Sequence, residues 1–423
     1  MRSLRHVLGG TFGSLAIRNY RLYFASMLVS MTGSWMQRLG QSWLVLHLTG
    51  SGLDLGVVNA LQFLPTLLFG AWGGVVADRS DKRRLILLTQ SLMGALAAVL
   101  GALTLAGAVR LWTVDLLALL LGMVTAVDTP ARQAFVPELV DRAHVSNAVS
   151  LNSAVFTSSR IFGPAAAGIV ITLAGMGWCF LLNALSFAAV LGALVAMDPR
   201  GLQRRPDVDR RPGQLVEGLR YVRSHPGLRL PLFLLAMTGT FALNWSVTLP
   251  LLARDTFHGD ASTYGVLFSV LGLGSLAGAL FTAGRRRPSD RLLLTALAAF
   301  GVLMLGAALA PDLRVEIAVL IPLGVAAIAF QTTANSLLQL RSDPALRGRV
   351  MAIYSVVFLG TTPIGAPLVG WVAQLLGARA GVALGGFAIL AALLVTLPAW
   401  RGAGGGRRWG RPAPAVEPDP SDP

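Results

Sequence analysis

The chain of 423 residues has a single cysteine, Cys179, which excludes a disulfide framework within the chain. Its five histidines are scattered, with no pair at metal-ligand spacing, so no metal site is expected. Charged residues make up only 13%, about half the share of a soluble domain. Lysine occurs once, at Lys82, and every other basic side chain is Arg, which reads as coding bias. No Walker loop is present, so ATP does not drive this chain. Gly272-x-Gly274-x-x-x-Gly278 mimics a nucleotide loop, but it lies in an apolar run with no strand before it and reads as helix packing. The sequon at Asn244 also lies in an apolar run, out of reach of a glycan. Together these absences argue against an enzyme and against any cofactor.

What is abundant is apolar sequence, 54% of residues. A spanning helix needs about 20 mostly apolar residues. Twelve stretches qualify: 22–46, 55–77, 85–108, 111–132, 148–173, 178–197, 229–252, 263–284, 291–310, 314–338, 350–375 and 380–399. Buried helices of a soluble core would leave almost no polar surface, so the fold class is an all-α membrane protein. The first run is too long for a signal-peptide core and lacks a small-residue cleavage site, so it reads as a retained helix.

The net charge of +15 invites a nucleic-acid partner, but its distribution argues otherwise. With loops assigned alternately, one side receives 29 of the 35 basic residues. Cytoplasmic loops carry that excess. Both termini are therefore expected in the cytoplasm of a cell whose inner or plasma membrane holds the protein, and no nucleic acid is required.

A linker rich in Arg and Pro, 198–228, divides the chain. The expected organisation is a cytoplasmic segment 1–21, a six-helix bundle 22–197, the linker, a second bundle 229–399 and a disordered cytoplasmic tail 400–423. Within the linker, residues from Gly213 to Ser224 suit a short amphipathic helix on the membrane surface. A faint repeat supports the division. Ser153, Val155, Phe156, Gly163 and Gly168 recur 202 residues later as Ser355, Val357, Phe358, Gly365 and Gly370, and Arg83-Arg84 recurs as Arg285-Arg286. Paired six-helix repeats with a site between them are a known transporter plan.

Three segments carry a family resemblance: Gly74-Val-Val-Ala-Asp78-Arg79-Ser-Asp81-Lys82-Arg83-Arg84, Ser159-Arg160-Ile-Phe-Gly163-Pro164-Ala-Ala-Ala-Gly168, and Asp343-Pro344-Ala-Leu-Arg347-Gly348-Arg349-Val350. On them, residues 12–400 resemble a major facilitator superfamily transporter of twelve helices in two six-helix bundles related by a pseudo-two-fold. Within it, the chain resembles the branch of enterobactin-type exporters and macrolide efflux pumps, the third drug:proton antiporter group. The resemblance implies that Gly74, Asp78, Arg79, Lys82 and Arg83 form a conformational latch against the eleventh helix. A plain positive-inside anchor is the alternative. Here Asp81 replaces the second Gly of the family pattern. The resemblance also implies an antiporter-type helix bend at Gly163, Pro164 and Gly168, beside the alternative of ordinary small-residue packing. The Arg that many relatives carry four residues before a Gly in the fourth helix is absent; Ala118 stands there, before Gly122.

Charges inside spans mark function by default. Asp128 is the one acidic residue well inside a span, with Arg132 four residues on and Arg160 in the next span. Three readings stand: a proton-coupling carboxylate with Arg132 or Arg160 as its movable partner, a permanent structural pair with either, or a direct substrate contact. Candidates for a substrate cavity are Arg38, Gln37, Gln41, Trp35, Gln62, Asn152, Asn244, Trp245 and Phe358. Apolar walls with a few polar groups suit an amphipathic small molecule. The expected function is proton-coupled export of drugs, macrolides or secondary metabolites by a monomer in contact with membrane lipids. A siderophore or lipid exporter is the alternative within the fold, and a non-transporting receptor or assembly factor the alternative outside it.

Overall fold

The computed structural model describes residues 12–203, 214–284 and 288–402. Almost everything described is helix, because backbone polar groups in an apolar medium must pair within their own segment. The tail beyond Gly402, the first eleven residues, positions 204–213 and the Arg285-Arg286 repeat lie outside the described residues.

Fifteen α-helices are described. The first six are α1 (Arg18–Thr49), α2 (Gly52–Arg79), α3 (Lys82–Leu105), α4 (Leu111–Phe135), α5 (Val145–Ala174) and α6 (Met176–Ala196). A short helix over part of the linker, α7 (Gln214–Ser224), precedes α8 (Pro226–Phe241), α9 (Trp245–Leu251) and α10 (Ala261–Ala283). The last five are α11 (Asp290–Ala308), α12 (Leu313–Arg341), α13 (Arg347–Gly360), α14 (Thr362–Leu376) and α15 (Ala378–Gly402).

Among the described residues, eleven helical stretches are long and apolar enough to cross a membrane. The 32-residue α1 is not one of them. Its length suffices, but Ser30, Thr32, Ser34, Gln37, Arg38, Gln41 and Ser42 lower its apolar content. Two of the expected spans are interrupted. The stretch 229–252 breaks between α8 and α9, and 350–375 breaks between α13 and α14. At the first break the N–H groups of Ala242 and Leu243 both turn back to the Thr238 carbonyl. The outward faces are strongly apolar, with Leu68, Trp72 and Leu173 exposed, as lipid requires.

The chain forms two compact units. The first comprises residues 1–209, 244–273 and 363–381. In it, α1 packs on α5 and α6, α2 on α4, and α3 on α4 and α6. Small residues make these crossings close. A Cβ at Gly73 would strike the backbone of Ala126 in α4. One end is filled by Tyr20, Tyr23, Met27, Ile86, Phe135 and Leu194.

Of the described residues, the second unit comprises 214–243, 274–284, 288–362 and 382–402. In it α11 packs on α12, and α13 on α7 and α8. Arg341 ties it together, with Nη2 2.7 Å from Asp290 Oδ2 and Nη1 donating to the Gly227 carbonyl at 3.1 Å. Glu217 of α7 pairs with Arg349 of α13.

Candidate functional site

Asp128 lies on α4 about 10 Å from the helix end at Phe135. Its side chain is fully buried. Thr89 Oγ1 and Gln90 Nε2, neighbours on α3, donate to its Oδ1 at 2.7 and 2.9 Å. Arg132 Nε lies 2.7 Å from its Oδ2, one helical turn on, and is itself only slightly exposed. The pair thus has its partners on α3 and α4. Of the two arginines considered as partners for Asp128, Arg132 takes the role. Thr89 and Gln90 were not singled out from sequence, although two adjacent polar residues inside an apolar run were a usable signal.

Arg160 sits near the middle of α5, about 22 Å from its start. Instead of reaching Asp128 it turns to α1, with its guanidinium carbon 5.9 Å from the centre of the Trp35 ring. The Arg38 guanidinium lies 4.4 Å from the same ring and 5.7 Å from that of Phe63. Trp35 also meets Phe156 edge-on at 5.9 Å and Phe268 at 5.8 Å. The row continues from Phe268 through Tyr264 to Trp43, at 6.1 and 6.3 Å. Trp35 and Arg38 are three apart on one helix and share a face by helical spacing. Their meeting with Arg160 depends on the crossing of α1 and α5. Gly163 allows it: a Cβ there would lie 2.5 Å from the Trp35 Cβ and 2.8 Å from the Thr32 carbonyl.

The other cavity candidates divide. Gln37 faces α6, and its Oε1 accepts from Asn183 Nδ2 at 2.6 Å. Residues 33, 37 and 40 point to α6, whereas 35 and 38 point elsewhere, as a 3.6-residue period dictates. Gln41 is buried one turn beyond Gln37. Gln62 and Asn152 are half-buried. Asn244 occupies the N-cap position of α9 at the helix break, where its carbonyl accepts from Val247 N, and Trp245 beside it is buried. Phe358, in the second unit, stacks on Tyr354 at 5.9 Å.

The bend motif lies inside one continuous helix, α5, with Pro164 in its interior. Pro164 has no N–H to give the Arg160 carbonyl. Close by, Ser269 Oγ of α10 donates to the Ile161 carbonyl at 2.9 Å. Gly168 and Gly265 permit the approach of α5 and α10.

Two of the five latch candidates have partners inside their own unit. Lys82 Nζ lies 2.9 Å from Glu138 Oε1, both largely buried. Arg83 donates to the carbonyls of Leu194 and Val195 at 2.8 and 3.3 Å, where the negative end of α6 favours a cation. Asp81, the departure from the family pattern, accepts from Arg84 N at 3.0 Å and caps α3. Gly74 is buried, Asp78 half-buried and Arg79 exposed. Glu138 was not singled out from sequence, because its partner is 56 positions away. Glu138→Ala is expected to cost about 3 kcal/mol, the range for orphaning a buried charge. The apparent Tm of the solubilised protein reads this, and Lys82→Met with Glu138→Leu should recover most of the loss.

Comparison with known proteins agrees with this architecture. A family model described as transmembrane secretion effector matches residues 9–402. The staphyloferrin A transporter of Staphylococcus aureus is 29% identical over 263 residues, 62% of this chain and 66% of that one, just under two thirds of its length. The multidrug efflux pump Tap of Mycolicibacterium fortuitum is 28% identical over 370 residues, 85% and 90% of the two chains. Macrolide efflux protein A of Streptococcus pyogenes is 24% identical over 397 residues, 89% and 96%. Among solved structures, the nucleoside transporter NupG aligns with a TM-score of 0.71 at 12% identity, over 92% of this chain and 99% of that one. A bacterial homologue of the iron transporter ferroportin, in an inward-facing state, aligns with 0.69 at 15% identity, over 90% and 98%. At such identities the structures speak for fold alone. The chain belongs to the transmembrane secretion effector family of the major facilitator superfamily, and is a multi-pass membrane transporter of small molecules, not an enzyme.

Proposed function

We propose that this protein exports amphipathic small molecules in exchange for protons, by alternating access, with Asp128 as the coupling carboxylate. In this reading twelve helices form two six-helix bundles, 22–197 and 229–399, joined by the linker 198–228. The protein is a monomer in the inner or plasma membrane, in contact with its lipids and with both termini cytoplasmic. The reading is carried by one observation, a fully buried carboxylate in a spanning helix whose arginine partner reaches slight exposure. Arg132 supplies the counter-charge in this structure. When a change of state draws Arg132 away, a proton is the low-cost way to neutralise a buried carboxylate. Asp78 and Arg79 supply the part of the latch that opens and closes, with Gly74 allowing close approach. Lys82 and Arg83 brace the turn. Gly163, Pro164 and Gly168 shape the bending helix.

The relatives named for multidrug and macrolide efflux support export of apolar-bodied compounds. The relative named for staphyloferrin A, with Arg38 and Arg160 here, favours a second reading, a siderophore exporter. The test is uptake into inside-out vesicles driven by an acidified lumen, with ethidium, erythromycin and carboxyfluorescein as probes. Uptake abolished by a protonophore is expected. Uptake indifferent to the protonophore but lost without sodium would overturn the proton as the coupling ion.

A further inference from the structure

Arg38 and Arg160 put two positive charges inside the first unit, on α1 and α5; both side chains are half-buried, and the Nε of each is buried without a hydrogen-bond partner. Neither guanidinium forms an ion pair among the described residues. Their shared neighbour is Trp35, and Phe63 lies under Arg38. An aromatic face returns only part of what an unpaired guanidinium loses on leaving water. A second cation nearby worsens the balance. Arg132 answers the same problem with Asp128, yet no carboxylate is supplied here.

We propose that Arg38 and Arg160 bind the anionic head of the transported molecule while Trp35, Phe63 and Phe268 hold its flat apolar body. This deepens the export reading above and rests on it. Two planar forks suit a carboxylate, catecholate or phosphate, each able to accept paired hydrogen bonds. The aromatic row from Trp35 to Tyr264 gives an extended apolar wall beside the charges. A cationic cargo meets two like charges there and is disfavoured. The site therefore selects by charge first and by shape second. The phosphate of an anionic lipid and the carboxylate of a soluble metabolite share the required chemistry.

The test is equilibrium binding to the purified full chain in detergent, read by fluorescence anisotropy with carboxyfluorescein as the anionic aromatic probe and ethidium as the cationic one. Carboxyfluorescein should bind wild type more tightly than ethidium. Arg38→Gln and Arg160→Gln should each weaken it by about tenfold or more, the scale of one charged hydrogen bond. Ethidium binding should rise in both variants. Arg38→Lys with Arg160→Lys keeps the charge but loses the forks, and should retain anion preference at reduced affinity; it also shows that the site folds without its arginines. Equal binding of the two probes to wild type, or an unaltered anion preference in the Gln variants, would overturn the proposal. Binding as expected without any acid-driven uptake would remove the export reading and leave the anion site standing. In nanodiscs, displacement of the probe by phosphatidylglycerol and not by citrate would support the site with a lipid as its anion. The reverse would support it with a soluble cargo.

Discussion

Asp128→Asn should reduce acid-driven uptake to the level seen with a protonophore while leaving the protein folded. The asparagine is isosteric, and its carbonyl oxygen can still accept from Thr89 Oγ1 and Gln90 Nε2, which now contact Oδ1. The amide nitrogen would replace the oxygen that meets Arg132. Arg132 is then left without its counter-charge, but it lies within about one turn of the helix end at Phe135. Its long side chain can carry the guanidinium toward water. The cost to stability is therefore smaller than for a charge orphaned at full depth. The readouts separate coupling from structure. Asp128→Asn with Arg132→Gln gives a neutral hydrogen-bonded pair that restores stability and cannot exchange a proton. If both variants lose protonophore-sensitive uptake while the double variant melts like wild type, Asp128 couples. Uptake preserved in the double variant would make the pair structural, and the proton would have to be handled elsewhere.

The membrane helices were legible because length and apolar content are properties of the chain alone, and most expected spans match a described helix to within about four residues. What escaped was whatever two helices decide together. Trp35 and Arg38 share a face by spacing, but Arg160 joins them only because Gly163 lets α5 lie against α1. Gln37 accepts a bond from Asn183, a residue 146 positions away that no local pattern links to it. Lys82 looked like half of a latch, and its carboxylate partner, Glu138, lay beyond any local pattern. Asp81 could have been read correctly, since an aspartate just before a run of helix formers is a cap whatever the family prefers there. The break at 242–244 falls where no adjacent proline or glycine announces it, so apolar periodicity ran straight through; the one near 361 is announced by Gly360 and Pro363, and the apolar run hid it.

The two charged groups of the first unit answer opposite problems. Asp128 has two hydrogen-bond donors and an ion-pair partner, and in the proposed mechanism it works by losing the latter. Arg38 and Arg160 have aromatic neighbours but no ion pair among the described residues, and in the proposal they work by gaining an anion. A proton and an anionic cargo would then act at separate places, joined by the helices α4 to α6 that pack on α1. Protonation at Asp128 need not compete directly with cargo, and coupling would run through a change in how these helices meet.

The crossing of α1 and α5 is where such a change should be easiest to block. Gly163→Ala is expected to cost about 1–3 kcal/mol, the range for overpacking a tight contact. The new Cβ would lie 2.5 Å from the Trp35 Cβ, 2.8 Å from the Thr32 carbonyl and 3.2 Å from the Met36 nitrogen. Two of these are backbone atoms and cannot swing away, so the helices must part by several tenths of an ångström. The hydrogen bond from Thr32 Oγ1 to Ser159 Oγ, 3.2 Å across the same crossing, would stretch with them. Trp35 would move away from Arg160, so carboxyfluorescein binding should fall along with the apparent Tm. Trp35→Phe should not relieve the strain, because the Cβ and the Thr32 carbonyl remain. Gly192→Ala is the control: nothing lies within 4 Å of the added methyl, and the helix should be unaffected or gain about 0.5–1 kcal/mol from the lost flexibility of glycine. If the two alanine variants melted and bound alike, the close crossing at Gly163 would not be what holds Trp35 between the two arginines.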